Sequence, residues 1–250
     1  MGKFSDKLGK RKSTPRSTAA TQDEVRDAVR SLLRRPDGRL ALRLVEAIGE
    51  RVDATAREAP GSSRWACAAG CNFCCHIPVV ATPPELVRLA RAVDAHPDAA
   101  RLRARILANA ERVDELEEEQ LFASRLPCAL LDEHGRCSVY AARPLACRAH
   151  VSFSREPCEA AHLDDARTDA GFDGDPFMQQ VRTDADTHLA TCLITAGLDG
   201  MGYELHDGLA RALELDPRRW AEPEAFVACR TLSDRVAFDA ELRVAIADES

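Results

Sequence analysis

The sequence predicts a mainly α-helical protein: a helical domain carrying one small β-hairpin and a cysteine-rich loop region. Three observations point there. Apolar residues recur at three- and four-residue spacing over most of the chain, as the buried face of a helix requires. Helix start signals, Thr21-Gln-Asp-Glu24 and Thr82-Pro-Pro-Glu85, precede two of these runs. Only one stretch, residues 128–140, sets two apolar pieces around a glycine-containing turn. With 250 residues, 45% hydrophobic and 30% charged, the chain has the composition of a soluble globular protein and the length for one large domain or two small ones.

The elements follow in order. After the capping box at Thr21, Val25, Ala28, Val29, Leu32 and Leu33 form one helical face. Pro36-Asp-Gly38 punctuates, and Leu40, Leu44, Ala47, Ile48 and Val52 predict a second helix. Pro60-Gly-Ser-Ser63 is a loop. The third helix starts at Thr82 and buries Leu86, Leu89, Ala90 and Val93; Pro97 ends it. Residues 98–121 predict a fourth helix with Leu102, Ile106, Leu107, Val113 and Leu116 inward, its acidic residues Glu115, Glu117, Glu118 and Glu119 forming a solvated face. Arg143-Pro144 opens a short helical turn bearing Leu145, Cys147 and Arg148, and residues 164–175, rich in Asp and Gly, form a surface loop. Further helices are expected at 176–197, 203–215, 222–231 and 234–247. The organisation is therefore a disordered basic tail (1–20), N-terminal helices (21–63), a cysteine-cluster region with an inserted helical hairpin (64–160), and C-terminal helices packed on the same domain (161–250).

Net charge is −7 and unevenly spread. All four lysines lie in the first twelve residues; with Arg11 and Arg16 against Asp6 they give residues 1–20 a charge of +5, leaving −12 on the rest. An acidic body argues against a nucleic-acid-binding face. The tail has no apolar core of a signal peptide, Asp6 stands where a myristoylation signal wants Ser or Thr, and no later run is long enough to span a bilayer. A cytoplasmic protein with reduced thiols is expected, with no membrane and no nucleic acid among its partners.

Ten cysteines then need another explanation than disulfides. Residues 67–75 read Cys67-Ala-Ala-Gly-Cys71-Asn-Phe-Cys74-Cys75, four thiols in nine positions, and Cys128, Cys137, Cys147 and Cys158 follow after the intervening helices. Soft thiolates in short loops are what Zn2+ or an iron–sulfur cluster requires, so these eight are the candidate metal ligands. Neighbouring side chains diverge in a strand or a helix, so adjacent Cys74 and Cys75 suit two metals, a polynuclear cluster, or one ligand and one supporting thiol. His76, next to Cys75, and His150, in Cys147-x2-His150, stand as alternative ligands; His134 sits in the predicted turn. Arg136, Arg143, Arg148 and Arg155 lie near the second group, where guanidinium groups would offset thiolate charge. Cys192 and Cys229 fall in apolar stretches and read as core residues.

The run Cys67-x3-Cys71-x2-Cys74-Cys75, followed by Pro127-Cys128, Cys137-Ser-Val-Tyr140 and Arg143-Pro-Leu-Ala-Cys147-Arg148, resembles the YkgJ-like cysteine-cluster family, the zinc- or iron-chelating domain of CxxCxxCC type. The resemblance covers residues 64 to 160. It departs from the signature in the three-residue gap after Cys67. It implies metal binding at Cys67, Cys71, Cys74, Cys75, Cys128, Cys137 and Cys147, and little about a substrate. The expectation is a metalloprotein whose iron–sulfur cluster or zinc is structural or redox-active. A likeness to flagellin lysine methylase through the same run implies an alternative, SAM-dependent lysine N-methylation of a protein, although no Gly-rich loop after a strand supports a SAM pocket. Metal storage or transfer is another. The spacing of Cys67, Cys71 and Cys74 is also that of radical-SAM proteins, but the parallel barrel that these need has no counterpart in the downstream pattern.

Overall fold

A computed structural model describes residues 18–163 and 173–232, except Pro217 and Pro223, together with Glu241 and Val244. It is mainly helical, with a two-stranded antiparallel sheet. The first pair of helices, α1 (Thr18–Arg34) and α2 (Gly38–Glu58), is joined across Pro36 and Asp37, whose carboxylate accepts the Arg39 N–H at 2.9 Å and caps α2. Helix α1 starts three residues ahead of the expected capping box, where Ala19 and Ala20 are strong helix formers. Leu32, Leu44, Val45, Ile48 and Val52 are buried between these helices and the rest of the core.

Helix α3 (Pro83–Asp94) begins as its sequence requires: Thr82 and Glu85 cap one another reciprocally. The helix expected over residues 98–121 is two helices, α4 (Ala99–Asp114) and α5 (Glu118–Ala123). Glu117 turns to extended backbone and forms a second capping box with Gln120. The break lets Val113 and Leu121 both reach a small satellite core with Leu232. Glu115, Glu117 and Glu119 are exposed, as a solvated face should be.

Helices α3 and α4, expected to form an inserted hairpin, touch one another, and α9 (Leu205–Glu214) packs against both. The approach to α3 is so close that a Cβ on Gly208 would lie 2.5 Å from Leu86 Cδ1. Helix α8 (Pro176–Thr195) packs on α2 and buries Leu189 and Leu193.

The strands are β1 (Val80–Ala81) and β2 (Tyr203–Glu204), paired antiparallel with Val80 opposite Glu204. They come from distant parts of the chain, so this sheet is no hairpin. At 128–140 the expected hairpin is reduced to a turn with a single antiparallel bridge, Leu131 to Cys137. Among the described residues the helix expected at 222–231 does not form: residues 218–222 and 224–230 make turns and bends closed by three-residue bonds such as Ala225 N–H to Glu222 O and Cys229 N–H to Phe226 O. Two short helices complete the cysteine region: α6 (Leu145–Arg148), where a helical turn was expected, and α7 (Glu156–Leu163), which the sequence did not signal. The tail before Thr18, and all of 234–247 but Glu241 and Val244, lie outside the described residues. Among the described residues no helix is long and apolar enough to cross a membrane.

Candidate metal centre

None of the ten cysteines is in a disulfide. Cys67 is exposed, Cys71, Cys74, Cys75, Cys128, Cys137, Cys147 and Cys158 are half-buried, and Cys192 and Cys229 are buried in the core, away from the other eight in character.

Three separate stretches of chain are drawn together around the 67–75 loop. The first contact is to the turn after Pro127. Cys128 donates its N–H to Cys75 O at 2.7 Å, and Gly135, at φ +70°, closes its turn against Asn72. Any side chain at Gly135 would collide, since its Cβ would stand 2.6 Å from Asn72 Nδ2. Asp132 Oδ1 shapes the same turn by accepting the His134 and Arg136 N–H groups, each at 2.8 Å.

The second contact is to residues 151–158. Ala66 donates to Ser152 O at 2.9 Å, and Ser152 N–H points at Cys67 Sγ at 3.3 Å. Helix α7, which carries Cys158, packs on the 3₁₀ turn Phe73–His76 that carries Cys74 and Cys75. His162 lies between Phe73 and His76, its ring centroid 5.6 Å and 4.4 Å from theirs. Trp65 anchors the entry to the loop by donating its indole N–H to Asp175 at 2.9 Å.

Helix α6 brings the third stretch, with Cys147, and two buried charges fix it. Glu85, at the start of α3, accepts the Leu145 N–H at 2.8 Å through the oxygen that its own capping box leaves free. Arg148 reaches past α6 to Asp53 of α2 and donates to the carbonyls of Arg143 at 2.9 Å and Ala141 at 2.6 Å. Burial lowers the Arg148 pKa although Asp53 favours its charge.

The thiols feel one another. Burial pushes Cys67 up against a lowering bond from Ser152, and Cys71, Cys74 and Cys158 push it further. Burial also raises Cys158, with Ser152 opposing and Cys71 and Cys74 adding to the rise. Cys147 is raised by burial and then by Cys128, Cys74 and Cys137. Burial raises Cys137, a Val139 backbone bond opposes, and Cys128 adds to it. Cys74 is raised most by its hydrogen bond with Cys75. Neutral thiols crowded in this way keep their protons until a cation replaces them. Of the four arginines expected to offset thiolate charge, Arg143 does so, lowering Cys137 and Cys147; Arg148 turns to Asp53 and Arg155 lies over the Phe73 ring.

The donor chemistry fits a soft cation, and the residues that bring it together come from all three stretches. Among the described residues, however, no three His, Cys, Asp or Glu side chains are grouped so that they could hold a metal ion.

A family model matches over this segment. Its description reads "CxxCxxCC: Putative zinc- or iron-chelating domain". The match spans residues 66–166. The CxxCxxCC segment thus includes all eight clustered cysteines and stops short of α8, β2 and α9. No curated protein and no solved structure matches the chain.

Two residues at the centre escaped the reading of the sequence. His162 stands one helical turn beyond Cys158 on α7, its Nδ1 buried with no hydrogen-bond partner; the Cys158-x3-His162 spacing was the available signal. His206, on α9 outside the CxxCxxCC segment, is buried beside Cys128, accepts the Ala129 N–H at Nε2 (3.2 Å) and meets Glu204 through Nδ1 (3.2 Å). Nothing in its sequence neighbourhood marked it. His76 is bonded to Asn72 O through Nδ1, and His134 is exposed beside Glu133.

Proposed function

We propose that this chain is a cytoplasmic metal-binding protein that holds zinc or an iron–sulfur cluster through Cys67, Cys71, Cys74, Cys75, Cys128, Cys137, Cys147 and Cys158, and that the centre is structural. One observation carries the reading: two stretches poor in regular structure, 65–79 and 127–140, carry six thiols, the short helices α6 and α7 that pack beside them carry two more, and none of the eight is in a disulfide. Such loops have little apolar surface with which to hold one another, and a shared ion joins them at the cost of the thiol protons. Glu85, Arg148 and the Ser152 backbone position the cysteines; the metal, when bound, supplies the cross-link.

Methyl transfer gains no support. A SAM pocket of the doubly wound kind needs a parallel sheet, and the described residues hold only the antiparallel pair β1–β2.

The test is anaerobic purification followed by elemental analysis and a visible spectrum. Stoichiometric zinc in a colourless protein, or iron with acid-labile sulfide in a brown one, is expected. Cys71→Ser and Cys147→Ser should each lower the metal content, and chelation should lower the unfolding temperature. A metal-free sample that is fully folded overturns the proposal. A brown protein that bleaches reversibly on reduction would move the role from structural to electron-carrying.

A further inference from the structure

We propose that the groove between α2 and α3, lined by no cysteine among the described residues, binds a small anion carrying two phosphate groups. Its walls follow from the sequence. Arg39, Leu42, Arg43 and Glu46 fall at positions i, i+3, i+4 and i+7 and so share one face of α2, while Arg88 and Arg91 fall at i and i+3 on α3. The two helices pack against each other, and these residues line an open cavity of about 280 Å³.

Positive charge is concentrated there against the trend of the molecule. Four arginines against one glutamate give the groove +3, on a body that is acidic as a whole. Several exposed arginines elsewhere are matched by a carboxylate three residues away, as Arg26 is by Asp23, Arg101 by Asp98 and Arg112 by Glu115. Arg39, Arg43 and Arg91 have no carboxylate within ion-pair distance among the described residues, although Glu46 stands in the same groove. Arg88 is half-buried and held by donating to Ala141 O at 2.9 Å, which leaves the rest of its fork for a ligand. Arg39 stands in the first turn of α2, where the helix dipole disfavours a cation and no acidic residue offsets it. A bound anion relieves that repulsion.

The lining selects the ligand. Guanidinium forks pair with phosphate and carboxylate oxygens two bonds at a time. A phosphate group carries about −1.5 to −2 at pH 7, so two of them offset the groove, whereas carboxylates would have to be crowded three together. Among the described residues that line it only Leu42 is apolar and none is aromatic, so a nucleobase finds no face on which to stack. The volume lies at the small end of ligand sites, which start near about 300 Å³. The groove therefore grips phosphates, whether of free diphosphate or of the diphosphate end of a larger molecule.

The experiment titrates inorganic diphosphate into the full chain by calorimetry. Saturable binding is expected, weakened but not abolished at about 0.15 M salt, where exposed charges are screened. Arg43→Gln/Arg91→Gln should lower the affinity by about tenfold or more. Glu46→Gln, which removes the opposing charge, should raise it, and a gain in affinity does not arise from misfolding. No binding by the unaltered chain, equal binding by the arginine pair, or no gain in Glu46→Gln overturns the site. So does heat that tracks loss of metal from the protein and is unchanged in the arginine pair. A nucleoside diphosphate separates the sources: equal affinity extends the site to larger diphosphates, binding of inorganic diphosphate only assigns it to the free anion, and binding of the nucleoside compound only overturns recognition through phosphates. Tighter binding of a poly-glutamate peptide, lost in the arginine pair, overturns the phosphate assignment in favour of an acidic protein segment.

Discussion

Arg148 is a cation with 3% of its side chain exposed, and the carboxylate it pairs with is that of Asp53. Desolvating a guanidinium is costly, and its Asp53 partner together with the Arg143 and Ala141 carbonyls offsets that cost. Asp53→Asn would leave the charge buried and unmatched. Breaking a buried pair from one side costs about 3–5 kcal/mol, and the 28% exposure of Asp53 places this one near the lower end. The expected result is a urea midpoint lowered by about 3 kcal/mol of stability at unchanged slope, and faster loss of metal to a chelator, because Arg148 adjoins Cys147. At the same scale Glu85 shows what a sequence leaves unsaid. Its capping box with Thr82 was legible three residues away, whereas its second bond, to Leu145, joins residues sixty positions apart. Local spacing reports the first kind of partner only.

Helix α9 decides how the elements fit. Gly208 sits inside it where alanine would be the better helix former by about 1 kcal/mol. The added methyl would meet Leu86, which is fully buried and has no room to yield. Gly208→Ala is therefore expected to destabilise by about 1–3 kcal/mol in spite of its propensity, as overpacking does. A gain in melting temperature would show that α3 and α9 are not packed this closely. The elements that sequence periodicity misjudged share a cause. Residues 98–121 keep a helical spacing of apolar residues, but satisfying the satellite core at both Val113 and Leu121 favours a break with a new cap at Glu117. Residues 222–231 carry apolar residues at plausible spacing, yet the chain there turns so that Phe226 and Cys229 are buried without a helix. Periodicity tells which residues want burial, and tertiary packing chooses the backbone that buries them.

Across the whole molecule, the two core thiols make stability depend on alkaline pH. Burial pushes Cys192 up to about 11; burial, with Asp207 adding and Arg211 opposing, pushes Cys229 up to about 12. In the unfolded chain a thiol ionises near about 8.5. Above that value the unfolded state has shed protons that the native state still holds, so their contribution is complete below about 8.5 and is lost as pH rises through 11 and 12. The stability of the native chain should fall over this window, and a Cys192→Ala/Cys229→Ala variant should fall less steeply in urea unfolding followed by circular dichroism. Equal slopes would mean that both thiols titrate freely in the folded protein.

By itself the sequence determined the helical class, the cap at Thr82, the chemistry of eight soft donors and the family resemblance that they carry, because each is set by residues within a few positions of one another. Only the tertiary structure decided which donors meet. Cys67 faces Ser152 and Cys75 faces Cys128 across dozens of residues, and His206 reaches Cys128 from a helix beyond the matched segment. Such meetings depend on α9 seating against α3 and α4 and on α6 being pinned to α2 and α3, and long-range packing of that kind leaves no periodic trace in the chain.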